Sequence, residues 1–284
     1  MRAICSGDDD PNRSLANLIH KGVSLESQSY QREPVYPPPG VAFDPVDPLA
    51  TFKLQTDNSR FLRSPWTYVS IGILLVLYPG LSLLGMGEDP TQLLKNLNQG
   101  VLIFLLMATI LFQWTIFLFN YVATWFEGTG LPGIGLTRLR TVDFAWGISF
   151  FLSAWLLLTG LAWLLAQAGL PLPGEIGLLI PREPFGKVVW VAVSFTAGFC
   201  EEVAFRGYLM TRLRLLGRFR SWIAPTLISA VAFGICHAYQ GIPGFILITV
   251  YGILFSLLYI RTGRLWPCII AHFLQDFGAL FLPR

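Results

Sequence analysis

The sequence predicts an all-α protein, a multi-pass transmembrane helix bundle of about seven spans behind a disordered, polar N-terminal tail. Three observations lead there. Hydrophobic residues make up 54% of the chain and charged residues only 13%, roughly half the charged share of a soluble domain. The apolar residues come in runs free of Asp, Glu, Lys and Arg, such as 101–126 and 221–260, which suit one and two crossings at roughly 20 residues each. Residues 1–63, by contrast, are polar and broken by proline, most densely at Pro37-Pro38-Pro39-Gly40.

Taken in order, the tail over 1–63 reads as a solvated cytoplasmic extension. No apolar stretch follows Arg2, which argues against a secretory signal, and Asp8-Asp9-Asp10 argues against an organelle transit peptide. The transmembrane domain is expected over 64–284. The first span is Pro65 to Leu84, interrupted at Pro79-Gly80, and the second is Val101 to Phe126. A glycine-rich turn, Gly128 to Gly135, leads to Arg138 and Arg140, and the third span is Phe144 to Ala168. Pro171, Pro173 and Pro184 mark a loop. The fourth span starts near Lys187 and ends among Arg212, Arg214, Arg218 and Arg220. Ser221 to Ile260 is long enough for two spans, with the turn expected at Gly241-Ile242-Pro243-Gly244, and Leu265 to Leu282 is the last.

The net charge of +3 lies in the loops and speaks to topology rather than nucleic-acid binding. With the N-terminus inside, the cytoplasmic face collects Lys53, Arg60, Arg63, Arg138, Arg140, Arg212, Arg214, Arg218, Arg220, Arg261 and Arg264. The outer face keeps Lys95, Arg182, Lys187 and Arg284. This excess predicts an integral membrane protein with a cytoplasmic N-terminus. Cys5, Cys200, Cys236 and Cys268 form no CxxC pair or disulfide framework and read as small buried residues.

The fourth span carries the most informative stretch, Cys200-Glu201-Glu202-Val203-Ala204-Phe205-Arg206-Gly207, after the uncharged run Val188 to Cys200. An ionisable group near a bilayer centre costs roughly 2.5–3.5 kcal/mol on insertion scales, so such residues mark functional sites by default. Glu202 and Arg206 are four apart and can pair, while Glu201 is rotated by roughly 100° from Glu202 and points elsewhere. Two other places break the late runs: His237, closing Phe233-Gly234-Ile235-Cys236-His237, and His272-Phe273-Leu274-Gln275-Asp276. His272 and Asp276 share a helix face. At 1.5 Å per residue, all four of Glu201, His237, His272 and Asp276 fall roughly 10–18 Å from the basic helix ends, in one layer.

Glu-Glu-x-x-x-Arg, then Phe-x-x-x-His, then His-x-x-x-Asp, in that order on late membrane helices, resembles the CAAX protease and bacteriocin-processing (ABI) family. These are intramembrane glutamic endopeptidases that include the type II CAAX prenyl endopeptidase. The resemblance spans roughly residues 130–284, the expected catalytic core, and includes Phe205-Arg206-Gly207-Tyr208-Leu209. It implies an endopeptidase acting on a peptide or protein at the membrane, prenylated CAAX-type or other, with no nucleic-acid partner. Glu201 would be the general base, with His237 helping to orient a water that attacks the scissile carbonyl directly. His272 and Asp276 would stabilise the oxyanion. Glu202 and Arg206 would be structural or orient the substrate. At the position of Asp276 the family has Asn or, as an accepted variant, Asp. An amide donates and an ionised carboxylate does not, so Asp276 must be protonated or else orient His272.

Other readings stay open at this point. Glu201 with the two histidines is a conceivable zinc set, although there is no H-E-x-x-H, and the resemblance implies metal-independent hydrolysis with no cofactor. Cys200 or Cys236 with a histidine would make a nucleophile of a less favoured kind. A non-catalytic immunity or scaffold protein would keep the polar cluster for folding or binding. A transporter would use Glu201 or Asp276 as an ion site, but no internal repeat is evident.

Overall fold

The computed structural model describes residues 64–84, 98–172, 177 and 179–281. The tail expected over 1–63, and the charges at Lys95 and Arg284, lie outside the described residues. Within them the regular structure is all helical, with no strand. Seven main helices follow one another: α1 Pro65–Leu84, α2 Gln99–Phe126, α3 Thr141–Gln167, α4 Pro184–Leu216, α5 Ile223–Ile235, α6 Gly241–Thr262 and α7 Trp266–Gly278. Short 3-10 turns cover Pro132–Ile134, Ala238–Gln240 and Ala279–Phe281.

The helices fall where the uncharged runs place them. Five of them, α1 to α4 and the stretch Ala238–Thr262 containing α6, are long and apolar enough to cross a bilayer. The protein is an integral membrane protein. Helices α5 and α7 have 13 residues each, about 20 Å at 1.5 Å per residue, short of the roughly 30 Å hydrocarbon core.

Two boundaries differ from the sequence reading, each for a backbone reason. Pro79-Gly80 does not interrupt α1. The preceding residues Ile73–Leu77 form a π-helical segment, with Tyr78 N–H donating to the Ile73 carbonyl. A wide turn there accommodates a proline that lacks an N–H and crowds the carbonyl four residues back. The turn between α5 and α6 comes at residues 236–240, not at Gly241–Gly244. Gly241 ends that turn at φ +73°, and Pro243 sits in the first turn of α6, where a missing N–H leaves no helical bond unmade.

Helix α4 is the axis of the bundle. More than half of its apolar stretch is buried, against almost none of α3, whose side chains such as Leu156 and Trp163 are exposed. Helix α4 packs on α2 and α7, α7 also packs on α3, and α5 pairs with α6. The main core gathers Phe205, Tyr208, Leu209 and Met210 of α4 with Phe233, Phe255, Tyr259 and Ile269.

One end of the bundle is tied by buried polar contacts. Glu127, at the end of α2, accepts from Thr67 Oγ1 at 2.7 Å, Tyr208 Oη at 2.8 Å and Arg212 Nε at 3.1 Å. Arg264 donates through Nε to Asp143 Oδ1 at 2.6 Å and through Nη1 to Thr137 Oγ1 at 2.7 Å. Tyr259 Oη donates to the Ile134 carbonyl at 3.0 Å, and Leu265 N–H to the Gly135 carbonyl at 3.0 Å. The segment 127–143 therefore lies against Arg212 and against residues 259–265. Arg212 and Arg264 serve there as ion-pair partners rather than as free loop charges.

Candidate functional site

The two glutamates sit at a change of helix type. Helix α4 is regular from Pro184 to Glu201, then π-helical over Glu202–Leu209, then regular again to Leu216. Such wide turns recur at functional sites, where they re-aim side chains. Across this junction Glu201 and Glu202 take different partners.

Glu202 is fully buried and saturated on one oxygen. Arg206 Nη1 donates to its Oε1 at 3.0 Å, and His272 Nδ1 donates to the same atom at 2.8 Å. A carboxylate only accepts, which makes Nδ1 the protonated nitrogen. Arg206 is itself buried, with its guanidinium 4.2 Å from the Phe233 ring centroid and 4.9 Å from that of Phe255. Cation–π contact with both rings offsets part of the cost of burying that charge.

Glu201 is 5% exposed and receives one hydrogen bond, from Gln113 Nε2 on α2 to Oε1 at 2.7 Å. Its Oε2 has no hydrogen-bond partner among the described residues and lies 3.8 Å from His272 Nε2. His272 Nε2 also lies 3.7 Å from Asp276 Oδ2. The ring thus has Nδ1 fixed on Glu202 and presents Nε2 between Glu201 and Asp276. Phe255 stacks on it at 5.3 Å. The close approach of α4 and α7 that permits this comes at Gly198. A Cβ there would meet Phe273 N at 2.9 Å and the Ile269 carbonyl oxygen at 3.1 Å.

Asp276 keeps about a third of its side chain exposed, so it is the outward member of the cluster, while Trp190 Nε1 donates to its backbone carbonyl at 2.9 Å. His237 lies in the turn after α5 rather than inside a helix. Its Nδ1 donates to the Phe233 carbonyl at 3.0 Å, which leaves Nε2 open. Its ring meets Phe233 edge-on at 4.9 Å, and Phe233 in turn meets His272 at 6.2 Å. Among the described residues, no hydrogen bond or ion pair joins His237 to Glu201, Glu202, His272 or Asp276. The structure therefore brings five of the six expected residues into one contact network and leaves His237 beside it.

Several further polar atoms around this cluster are buried without a partner among the described residues: Glu202 Oε2, Arg206 Nη2, Gln113 Oε1 and Tyr251 Oη. Native structures leave few such atoms, and each calls for a reason. A cavity of about 10 Å³ borders Glu201, Gln113 and Tyr78, room for about one water. Gln113, Tyr78 and Tyr251 escaped the sequence reading. The only available signal for Gln113 was an amide in a run otherwise free of strongly polar side chains up to Asn120. Among the described residues, no group of three or more His, Cys, Asp or Glu side chains is placed to hold a metal ion.

Comparison with protein families matches residues 183–278 to the Rce1-like model, described as type II CAAX prenyl endopeptidase Rce1-like. The matched stretch is narrower than the 130–284 expected from the motifs, yet it holds Glu201, Glu202, Arg206, His237, His272 and Asp276. Comparisons with curated proteins and with solved structures return no match. Over residues 183–278, helices α4 to α7, the chain is similar to the type II CAAX prenyl endopeptidase Rce1-like family.

Proposed function

We infer that the protein is an intramembrane endopeptidase that hydrolyses a peptide bond in a membrane-associated protein, with a prenylated CAAX-type C-terminus as the leading substrate class. The observation that carries this reading is the pairing of Glu201 Oε2, buried and unpartnered, with His272 Nε2 3.8 Å away. A water about 2.8 Å from Glu201 Oε2 would be the nucleophile. Glu201 then takes a proton from the water as its oxygen attacks the scissile carbonyl, and returns that proton to the leaving amine. No acyl-enzyme forms.

His272 supplies the positive side of the reaction. Glu201, Glu202 and Asp276 surround the ring, and an imidazolium in that setting pairs with all three. Its Nε2–H points where the carbonyl oxygen gathers charge, which is the role of an oxyanion donor. Glu202 and Arg206 hold the ring rather than react. Asp276 acts on His272 through charge, which needs no proton on the carboxylate, and not as the amide it replaces. His237, with Nε2 free, orients the water from the α5–α6 turn. The catalytic core would occupy 130–284 of a transmembrane domain over 64–284, with the basic end of the bundle and the N-terminus on the cytoplasmic side. Catalysis would need no metal.

The purified full-length protein in detergent should cleave a farnesylated CAAX peptide, and Glu201→Gln and His237→Ala should each abolish cleavage. Turnover that survives Glu201→Gln would remove the base from the mechanism. Mass spectrometry of membrane proteins from cells carrying wild type or Glu201→Gln should show the natural cleavages as those missing from the variant.

A further inference from the structure

Gln113 stands on α2, outside the matched residues 183–278. It is 5% exposed, and its Nε2 donates to Glu201 Oε1 at 2.7 Å. That length belongs to the short, charge-assisted class of hydrogen bond. It is the sole hydrogen bond to the Glu201 side chain among the described residues. Because the two oxygens of a carboxylate are rigidly related, engaging Oε1 decides where Oε2 goes, and Oε2 is the atom 3.8 Å from His272 Nε2.

The donor's chemistry matters as much as its position. Glu202 is held by a cation, Arg206. Glu201 is held by a neutral amide, which fixes the group without cancelling its charge. The neighbouring contact keeps the register: Trp114 Nε1 donates to Thr196 Oγ1 at 3.2 Å, one residue along α2 and just over one turn along α4. Tyr78 of α1 stands on the far side, against the same small cavity. Helices α1 and α2 thus bear on the geometry of a reaction whose other groups all come from α4 to α7.

We propose that Gln113 is a positioning residue for the catalytic base, setting the rotamer of Glu201 so that Oε2 faces His272; this rests on the endopeptidase reading above. The bland alternative is an interhelical hydrogen bond that only joins α2 to α4. The two part company in kinetics. A structural bond, once lost, lowers the melting temperature and leaves the pH profile of the surviving activity unchanged. A positioning bond, once lost, lowers kcat with KM held.

The test uses the full-length protein in detergent as wild type, Gln113→Leu and Gln113→Glu, with Glu201→Gln as reference. Cleavage of a farnesylated CAAX peptide is followed across pH. The infrared carboxylate band of Glu201, assigned by its loss in Glu201→Gln, is recorded in parallel. Gln113→Leu should lose kcat by about 10- to 100-fold, the scale of a misplaced reacting group, with KM within about 2-fold. The infrared band should shift. Gln113→Glu donates only when protonated, so its activity should recover toward acid pH. A wild-type kcat in Gln113→Leu, or a loss in Gln113→Glu that no pH repairs, overturns the proposal. If the wild-type protein cleaves nothing, the endopeptidase reading fails on its own. The infrared arm then decides the contact: a shifted band in Gln113→Leu supports it and an unshifted one overturns it.

Discussion

Gly198→Ala is the change that most directly couples the packing of the bundle to the geometry of its site. The added Cβ would lie 2.9 Å from the Phe273 amide nitrogen, 3.1 Å from the Ile269 carbonyl oxygen and 3.3 Å from the Phe273 Cα. All three are backbone atoms of α7, so no side chain can swing aside. Reaching an ordinary contact of 3.4 Å means moving α7 away from α4 by about 0.5 Å. His272 precedes Phe273 and travels with it, so its Nε2 retreats from Glu201 Oε2, already 3.8 Å away. Overpacking of this kind costs about 1–3 kcal/mol of stability. A displacement of half the size that costs 10²-fold in rate should lower kcat by roughly 10-fold. Gly160→Ala on α3 is the control, since nothing lies within 4 Å of its Cβ. Melting temperature in detergent and peptide cleavage are measured on both variants. Gly198→Ala should melt several degrees below Gly160→Ala and turn over more slowly. Equal melting temperatures with equal kcat would show that α4 and α7 are not held by this contact, and the argument for their registry would fall.

Glu127→Ala removes the acceptor of Thr67, Tyr208 and Arg212 at once and leaves Arg212 buried without its carboxylate, which should destabilise the fold by about 3–5 kcal/mol. A smaller loss measured by thermal denaturation would mean that Arg212 reaches solvent. Replacing both partners by apolar residues, Glu127→Leu with Arg212→Met, should restore part of that loss in the same measurement. Arg218 holds φ at +51°, so Arg218→Gly should raise the melting temperature by roughly 2 °C, the effect of relieving about 1 kcal/mol of backbone strain. An unchanged or lower value would show the strain to be offset elsewhere. Cleavage should persist after treatment with a strong zinc chelator. Loss that added zinc restores would replace the Glu201 water by a metal-bound one.

What the sequence discloses here is what depends on one helix at a time. The uncharged runs locate all seven helices because charge in a lipid-facing stretch is costly, and five of the seven are long enough to cross. Spacing of four residues correctly pairs Glu202 with Arg206, at 3.0 Å, and puts His272 near Asp276, at 3.7 Å. The rotation between neighbours separates Glu201 from Glu202. Contacts between helices are another matter, since they depend on how each helix turns about its own axis. Nothing along the chain says that His272 docks on Glu202, that Gln113 meets Glu201, or that Glu127 receives Arg212. Punctuation misleads for a related reason. Gly241 and Pro243 read as a turn, yet a proline near the start of a helix is at home, and the loop precedes it. Pro79 reads as a break, yet a single π-helical segment absorbs it.

The order of the two acids follows from the same geometry. The acid that meets Arg206 and His272 is neutralised and held on two sides, and it becomes part of the frame. The acid one position earlier faces α2, where its donor is the Gln113 amide, and among the described residues its other oxygen has no hydrogen-bond partner. Exchanging their roles would require the α2 amide to face Glu202, which the Trp114–Thr196 contact opposes. It would also require Arg206 to reach back five residues instead of four. The π-helical segment, which widens the turn directly after Glu201, separates the two environments further. Adjacent identical residues thus acquire different chemistry from the helices they face: one anchors the histidine and the other keeps the open oxygen that a water can address.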